Sequence, residues 1–292
     1  MQVNSKASSG SSGALRLLTE TTMSNPYLPP EILDYIIDFL HDEPEALKQC
    51  CPVSKSWVPR TRRHLFANIQ FRSASVLESW KKRFPDAANS PACYAHTLFV
   101  GCPWLVVAAD AEEGGWIRVF SGVKSLDLDN GDQARYIGAL EVSLASFYKF
   151  SPALKSLRIS HIILPYPQVF DLVCSFPLLE NLSLIGHNES WVNDGGPNGP
   201  RTVVPSTSPV FTGSLDFHIL GGAGNAARQL LDLPNGLHFR KVALSWAHER
   251  DFWWVAELVV RCSHTLESLD VTQTSIVRSS ISASASITQL CF

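Results

Sequence analysis

Charge is scarce in this 292-residue chain: 17% of its residues are Asp, Glu, Lys or Arg, and 24 basic against 27 acidic side chains leave a net charge of −3. Such a balance sets up no basic field to attract phosphate backbones or anionic lipid, so nucleic acid and membrane surfaces are excluded as expected partners and a protein partner is expected instead. Long apolar runs are missing as well. Nothing approaches the roughly 18–20 residues needed to span a bilayer, and the N-terminal stretch Ala14 to Leu18 is too short for a signal-peptide core. A disulfide framework is also lacking. The seven cysteines are an odd number without regular spacing, and Cys50 and Cys51 are adjacent, which points to inert thiols in a reducing compartment, cytoplasmic or nuclear.

Catalytic signatures are equally sparse. There is no G-x-S-x-G elbow, and no His or Asp is tied by motif to a Ser or Cys. Cys93, His96 and Cys102 do not have zinc-ligand spacing, and His161, His187, His218 and His248 recur at uneven offsets without partner ligands. Gly222-x-Gly224-x-x-Ala227 formally matches a dinucleotide fingerprint, with Glu249 a loose candidate for the ribose carboxylate, but the same strand-turn-helix is required by the repeat described below. No enzyme, metal or cofactor is expected.

With 45% hydrophobic residues, the chain can bury a core as one large domain or as a small domain plus a larger one. Residues 1–24, Ser-rich and without acids up to residue 19, read as a disordered tail. From Pro30, apolar residues at Ile32, Leu33, Ile36, Ile37 and Leu40 fall on one helical face, with Pro29 and Pro30 suited to a helix start and Glu31 to the positive end of its dipole. A second helix is expected from Pro44 to about Cys51 with Asp42 as N-cap. A third is expected with Ser54 as its cap; it carries Trp57, Val58, Leu65 and Phe66, is kinked or delayed by Pro59, and holds Arg60, Arg62 and Arg63 on its outer side.

Beyond Phe71 the pattern becomes a repeat: a helical stretch, a turn, and a short L-x-L strand. Seven strands are read at 96–100, 123–128, 154–159, 179–184, 214–217, 241–244 and 266–271. Their first apolar markers, Leu98, Leu126, Leu157, Leu182, Leu215, Val242 and Leu269, are 28, 31, 25, 33, 27 and 27 residues apart, close to or a little above leucine-rich-repeat spacing. Helix-like runs at 134–148, 168–174, 226–231 and 252–260 separate them. The Gly-, Pro-, Asn- and Ser-rich stretch 190–208 reads as an insertion loop, and the Ser-rich end 276–292 as frayed or truncated. The fold class expected is α/β: three N-terminal helices over 25–72, then a curved solenoid of parallel strands and outer helices over 73–275.

The run from Leu28-Pro29-Pro30-Glu31-Ile32-Leu33 to Leu40, with Leu47, Cys50, Val53-Ser54-Lys55-Ser56-Trp57 and His64-Leu65-Phe66, closely resembles the F-box, of the type abundant in mushroom-forming fungi. It covers about 45 residues; the remainder resembles F-box-linked leucine-rich repeats more loosely. The resemblance implies a substrate-recognition adaptor that binds a Skp-type protein and, through it, a cullin-RING ubiquitin ligase. It places Leu28, Pro29, Ile32, Leu33, Ile36, Val53 and Trp57 at or under the adaptor-binding surface. Strand alternation sends a second set of residues to the opposite face of the repeats: Asp127, Asp129, Arg158, Ser160, Ser183, Asp216, His218, Ser245, Asp270 and Thr272. That face is the candidate target-binding surface. The alternatives are an F-box scaffold with no role in ubiquitin transfer, and a nucleotide-binding solenoid.

Overall fold

The computed structural model describes residues 28–86, 89–101, 116–129, 147, 150–161, 166–186, 209–219, 223–246, 252–273 and 285–291. Three short helices open it: α1 (Pro30–Phe39), α2 (Pro44–Cys50) and α3 (Val58–Leu65). Each has a proline in its first turn, where the missing N–H costs no helical hydrogen bond. Pro59 thus delays α3 to Val58 instead of kinking it, and its N-cap is Trp57 and not Ser54. Asp42 does not cap α2; the N-cap is Glu43, and Asp42 pairs with His41 at 3.0 Å. Ile37 and Leu47, each 1% exposed, form the small core of this unit.

The chain then enters a nine-stranded sheet in which every strand is a neighbour of the one before it in sequence. The strands are β1 (Asn68–Phe71), β2 (Thr97–Gly101), β3 (Ser125–Asp129), β4 (Ser156–Ser160), β5 (Asn181–Gly186), β6 (Ser214–Ile219), β7 (Lys241–Trp246), β8 (Ser268–Gln273) and β9 (Ala285–Cys291). The first eight are parallel. Between them lie α4 (Ala74–Arg83), two 3-10 turns (Pro91–Tyr94 and Trp116–Phe120), α5 (Tyr166–Cys174), α6 (Ala223–Leu231) and α7 (Phe252–Cys262). Parallel strands in sequential order with helical crossovers are the arrangement of a stacked α/β array, since each unit can bury its apolar face only against its neighbours.

All seven L-x-L markers fall into one register row: Leu98, Leu126, Leu157, Leu182, Leu215, Val242 and Leu269 are successive Cα partners. The second apolar residue of the motif makes a parallel row through Val100, Leu128, Ile159, Leu184, Phe217, Leu244 and Val271. From Leu98 to Leu244 these side chains are buried, and they meet Val169, Leu172, Val173, Ala226, Leu230, Val255 and Leu258 of the helices. At the entrance to most strands one carbonyl accepts two N–H groups of the next repeat. The Ala67 carbonyl takes His96 and Thr97, that of His96 takes Lys124 and Ser125, that of Lys124 takes Lys155 and Ser156, and that of Arg240 takes Glu267 and Ser268. A repeated backbone clamp of this kind explains why the register persists although the spacing varies.

Several expectations are corrected. Residues 68–71, expected inside the F-box, form β1: Ile69 and Phe71 are the alternate apolar residues, and Ile69 is the Cα partner of Leu98. Five of the seven expected strands begin one or two residues later than read, at Thr97, Ser125, Ser156, Asn181 and Ser268, while β6 and β7 begin where read; Val123 and Leu154, read as strand starts, are instead buried in the turns before β3 and β4. The C-terminal stretch is not structureless: β9 pairs with β8 in antiparallel fashion, Leu269 opposite Leu290 and Gln273 opposite Ala285. The expected helix 134–148 and the insertion 190–208 lie almost wholly or wholly outside the described residues, as do Gly222 and Glu249 of the dinucleotide match. Cys50, Cys51, Cys93, Cys174 and Cys262 are free, and burial pushes the Cys174 and Cys262 thiols up to about 11, which keeps them protonated and inert.

Candidate functional sites: an apolar helix face and a polar sheet face

The α1 helix packs through Ile37 and leaves most of its other apolar residues in solvent. Leu28 is 49% exposed, Ile32 47%, Ile36 39% and Val53 64%, and Pro29 is exposed as well. Leu33 and Trp57 are half-buried beneath them. Tyr35 and Phe39, 72% and 77% exposed, extend the same helix's apolar surface; the face read in sequence comprised Ile32, Leu33, Ile36, Ile37 and Leu40 and left these two aromatics out. Contiguous exposed apolar surface of this kind marks an interaction site far more often than scattered single residues do.

A polar clasp fixes this face relative to α3. The Arg60 guanidinium donates from Nε to Asp38 Oδ1 at 2.7 Å and also bonds the second carboxylate oxygen, while His64 Nε2 lies 2.7 Å from Asp38 Oδ1. These bonds, Arg60 first and His64 second, hold the Asp38 carboxyl well below the usual carboxylate range. Arg60 therefore faces α1, not solvent as its place in the sequence suggested.

The second site is the open face of the sheet. The residue between the two apolar positions of each strand makes a row Asp127, Arg158, Ser183, Asp216, Ala243, Asp270, each the Cα partner of the next. Beside it runs a second row: Asp129, Ser160, Ile185, His218, Ser245, Thr272. All ten residues named in sequence for the target-binding face fall in these two rows. Ser160 and Ser245 share it but are buried, at 2% and 5% exposure, so they line its floor.

The face is internally wired. Arg158 lies 3.9 Å from Asp127 and donates to the Ser160 hydroxyl at 3.1 Å. Ser183 donates to Asp216 Oδ2 at 3.0 Å, and His218 Nε2 pairs with Asp216 Oδ1. His161, at the end of β4 with φ of 56°, places Nδ1 3.1 Å from Asp129. Neither the φ nor that contact, made across a repeat, has a local sequence signal. Burial pushes the Asp127 carboxyl up, opposed by Arg158. Asp216 is held down, chiefly by its hydrogen bond with His218, and the same bond raises His218. Because Ser183 donates to Asp216 and not to His218, the order of groups is not that of a base-activated serine.

The signs of the two shifts define a pH window. The contribution of raised His218 is complete below its unfolded value near 6.5 and is lost as pH rises through the folded value. That of lowered Asp216 is present above about 3.9 and is lost as pH falls through its own. The pair is therefore fully charged in mildly acidic solution and loses its cation as pH rises through the raised His218 value. In an NMR titration His218 is expected to titrate above the ordinary histidine value, and Asp216→Asn is expected to bring it back down; an unchanged His218 in that variant would remove Asp216 as the cause.

No group of three or more His, Cys, Asp or Glu that would hold a metal occurs among the described residues, and no described helix is long and apolar enough to cross a membrane. Cys93 and His96 do not converge with a further ligand, and Cys102 lies outside the described residues. Compared with known families, with curated proteins and with solved structures, the chain finds no match.

Proposed function

We propose that this chain is an F-box-type adaptor without catalytic activity of its own, which binds a Skp-type protein through α1–α3 and presents a protein target on the polar sheet face to a cullin-RING ubiquitin ligase in the cytoplasm or nucleus. The observation that carries the reading is the unburied apolar face of α1: Leu28, Ile32 and Ile36 lie within the run that resembles the F-box, yet they are left in solvent while Ile37 alone is buried. Three short helices cannot bury all their apolar faces among themselves, and a partner groove would cover the remainder. Covering the six exposed side chains Leu28, Ile32, Tyr35, Ile36, Phe39 and Val53 is worth at most on the order of 10 kcal/mol gross at about 1.5–3 kcal/mol each, before association entropy and desolvation remove most of it. The mixed-charge rows of the open sheet face, four aspartates around Arg158 and His218, suit a polar protein segment and offer no arranged nucleophile.

The test is co-expression of the full chain with a Skp-type adaptor. The wild type is expected to co-purify as a complex, and an Ile32→Asp, Ile36→Asp variant is expected to lose it while keeping its circular dichroism spectrum, because both side chains are already exposed. Absence of a complex with folded wild type, or its persistence in the variant, overturns the proposal. Should the complex form, target turnover in cells separates a ligase receptor from a scaffold that binds the adaptor without directing ubiquitin transfer.

A further inference from the structure

Two histidines that the sequence places 26 residues apart meet at the surface where the last two parallel repeats begin. His238 lies in the turn between α6 and β7, and His264 in the turn between α7 and β8. His238 Nδ1 and His264 Nε2 are 3.1 Å apart, with the rings at 86° to one another. The other nitrogen of His238, Nε2, is 3.0 Å from the Asn235 carbonyl oxygen. A carbonyl only accepts, so Nε2 carries the ring proton and Nδ1 presents a lone pair towards His264. Fixing one ring nitrogen on a carbonyl, so that the other is free to ligate, is how metal-binding imidazoles are oriented in proteins.

The backbone around the pair is itself held. Gly236, at φ of 70°, takes the one left-handed glycine position among the described residues and so lets the Pro234-Asn235-Gly236 turn fold the Asn235 carbonyl back under the His238 ring. Thr265 Oγ1 donates to the carbonyl of Phe239 at 3.1 Å, which ties the two turns together beside the rings, and Glu267 and Ser268 donate to the Arg240 carbonyl at 2.7 and 3.0 Å. Two imidazole nitrogens at about 2.0–2.1 Å from one tetrahedral ion stand roughly 3.3 Å apart, so the observed separation needs little more than a turn of the exposed His264 ring.

From this geometry we infer that His238 and His264 form a two-imidazole site for a borderline divalent transition-metal ion of the Zn2+, Ni2+, Cu2+ class, which clips one repeat to the next. To ligate, His264 moves its ring proton from Nε2 to Nδ1, so that both rings remain neutral and no proton leaves the protein. Hard ions such as Mg2+ and Ca2+ prefer oxygen and are not taken. With two protein ligands the remaining positions fall to water or to a group from a partner.

The experiment is calorimetric titration of the full chain at pH 7.5 with the chlorides of Cu2+, Zn2+ and Mg2+, on the wild type and on His238→Gln and His264→Gln. One equivalent is expected to bind at this site, Cu2+ more tightly than Zn2+, with no binding of Mg2+. Each variant is expected to weaken that equivalent at least about tenfold, since loss of a ligand costs no less than loss of the group that orients one. Zinc is expected to raise the melting temperature of the wild type alone, reversibly with chelator. His41, against Asp42, and the exposed His96 are among the competing imidazoles, and binding there would survive both substitutions. Unchanged binding in the two variants, binding that depends on only one of the histidines, or no binding of Cu2+ or Zn2+ overturns the inference. His264→Gln replaces an exposed turn residue, so it keeps the test decisive should His238→Gln disturb the turn.

Discussion

Phe120→Ala is expected to destabilise the protein by about 3–5 kcal/mol, the range for removing a fully buried Phe from a packed core. Phe120 closes the 3-10 turn before β3 and is 0% exposed. Its ring stands edge-on to Phe71 at 6.0 Å, and Trp80 and Phe150 lie 6.3 and 6.5 Å away. Through Trp80 the aromatic chain reaches Phe66, at the end of α3, and Phe84. A cavity at Phe120 therefore opens the point where the three-helix unit, α4 and the first strands share one core. Against a total stability of about 5–15 kcal/mol the loss is large.

The distribution of that loss is as informative as its size. In a stacked array each repeat is stabilised chiefly by its neighbours, so damage is local. Hydrogen exchange on Phe120→Ala is expected to speed up at Leu98, Val100, Leu126 and Leu128 and to leave Val242 and Leu244 protected. Equal acceleration at both ends would mean that the array unfolds as one cooperative unit.

How much of this was legible in sequence depends on whether the cause was local. The L-x-L period is local, and every marker it gave falls into a single register row, because one apolar pair per repeat has to face the helices. The starts of α1 and α2 were legible for the same reason, since proline at a helix start acts within one turn; for α3 Ser54 was read as the cap, whereas the N-cap is Trp57. β1 was hidden because Asn68 to Phe71 follows α3 with only Phe66 and Ala67 between, so the three-helix unit and the array are joined without the polar linker by which a boundary is read. The Asp38 clasp spans 22 residues to Arg60 and 26 to His64, and the His238 and His264 pair also spans 26. Such contacts are set by how the repeats stack, and no spacing rule within a helix or strand encodes them. For the polar face, alternation was enough to name its residues, but which of them pair, and that Ser160 and Ser245 lie buried in its floor, follows only from register.

The join between β5 and β6 gives the second large effect. A Cβ on Gly213 would lie 2.9 Å from the Glu180 carbonyl oxygen and closer still to the Asn181 carboxamide. The glycine is required for space and not for conformation, since its φ lies outside the left-handed region. Asn181 cannot move aside freely, because its Oδ1 accepts from the Ser214 N–H at 2.8 Å and from the Ser214 hydroxyl at 3.0 Å. Moving the backbone instead stretches the bond from the Gly213 N–H to the Glu180 carbonyl, 3.1 Å, and shifts the Gly213 carbonyl, which accepts from Arg240 and Lys241 at 2.9 and 3.3 Å. Either route combines overpacking with an unpaired backbone group, so Gly213→Ala is expected to cost about 3 kcal/mol and to lower the melting temperature by roughly 6–12 °C. Asn181→Ala removes the obstacle together with its two hydrogen bonds and is expected to cost about 1–3 kcal/mol alone. Because the two substitutions act through one contact, the double variant is expected to be clearly more stable than the sum of the single losses predicts. Simple additivity in that cycle would show that Gly213→Ala is relieved elsewhere and that the Asn181 side chain is not what makes glycine necessary.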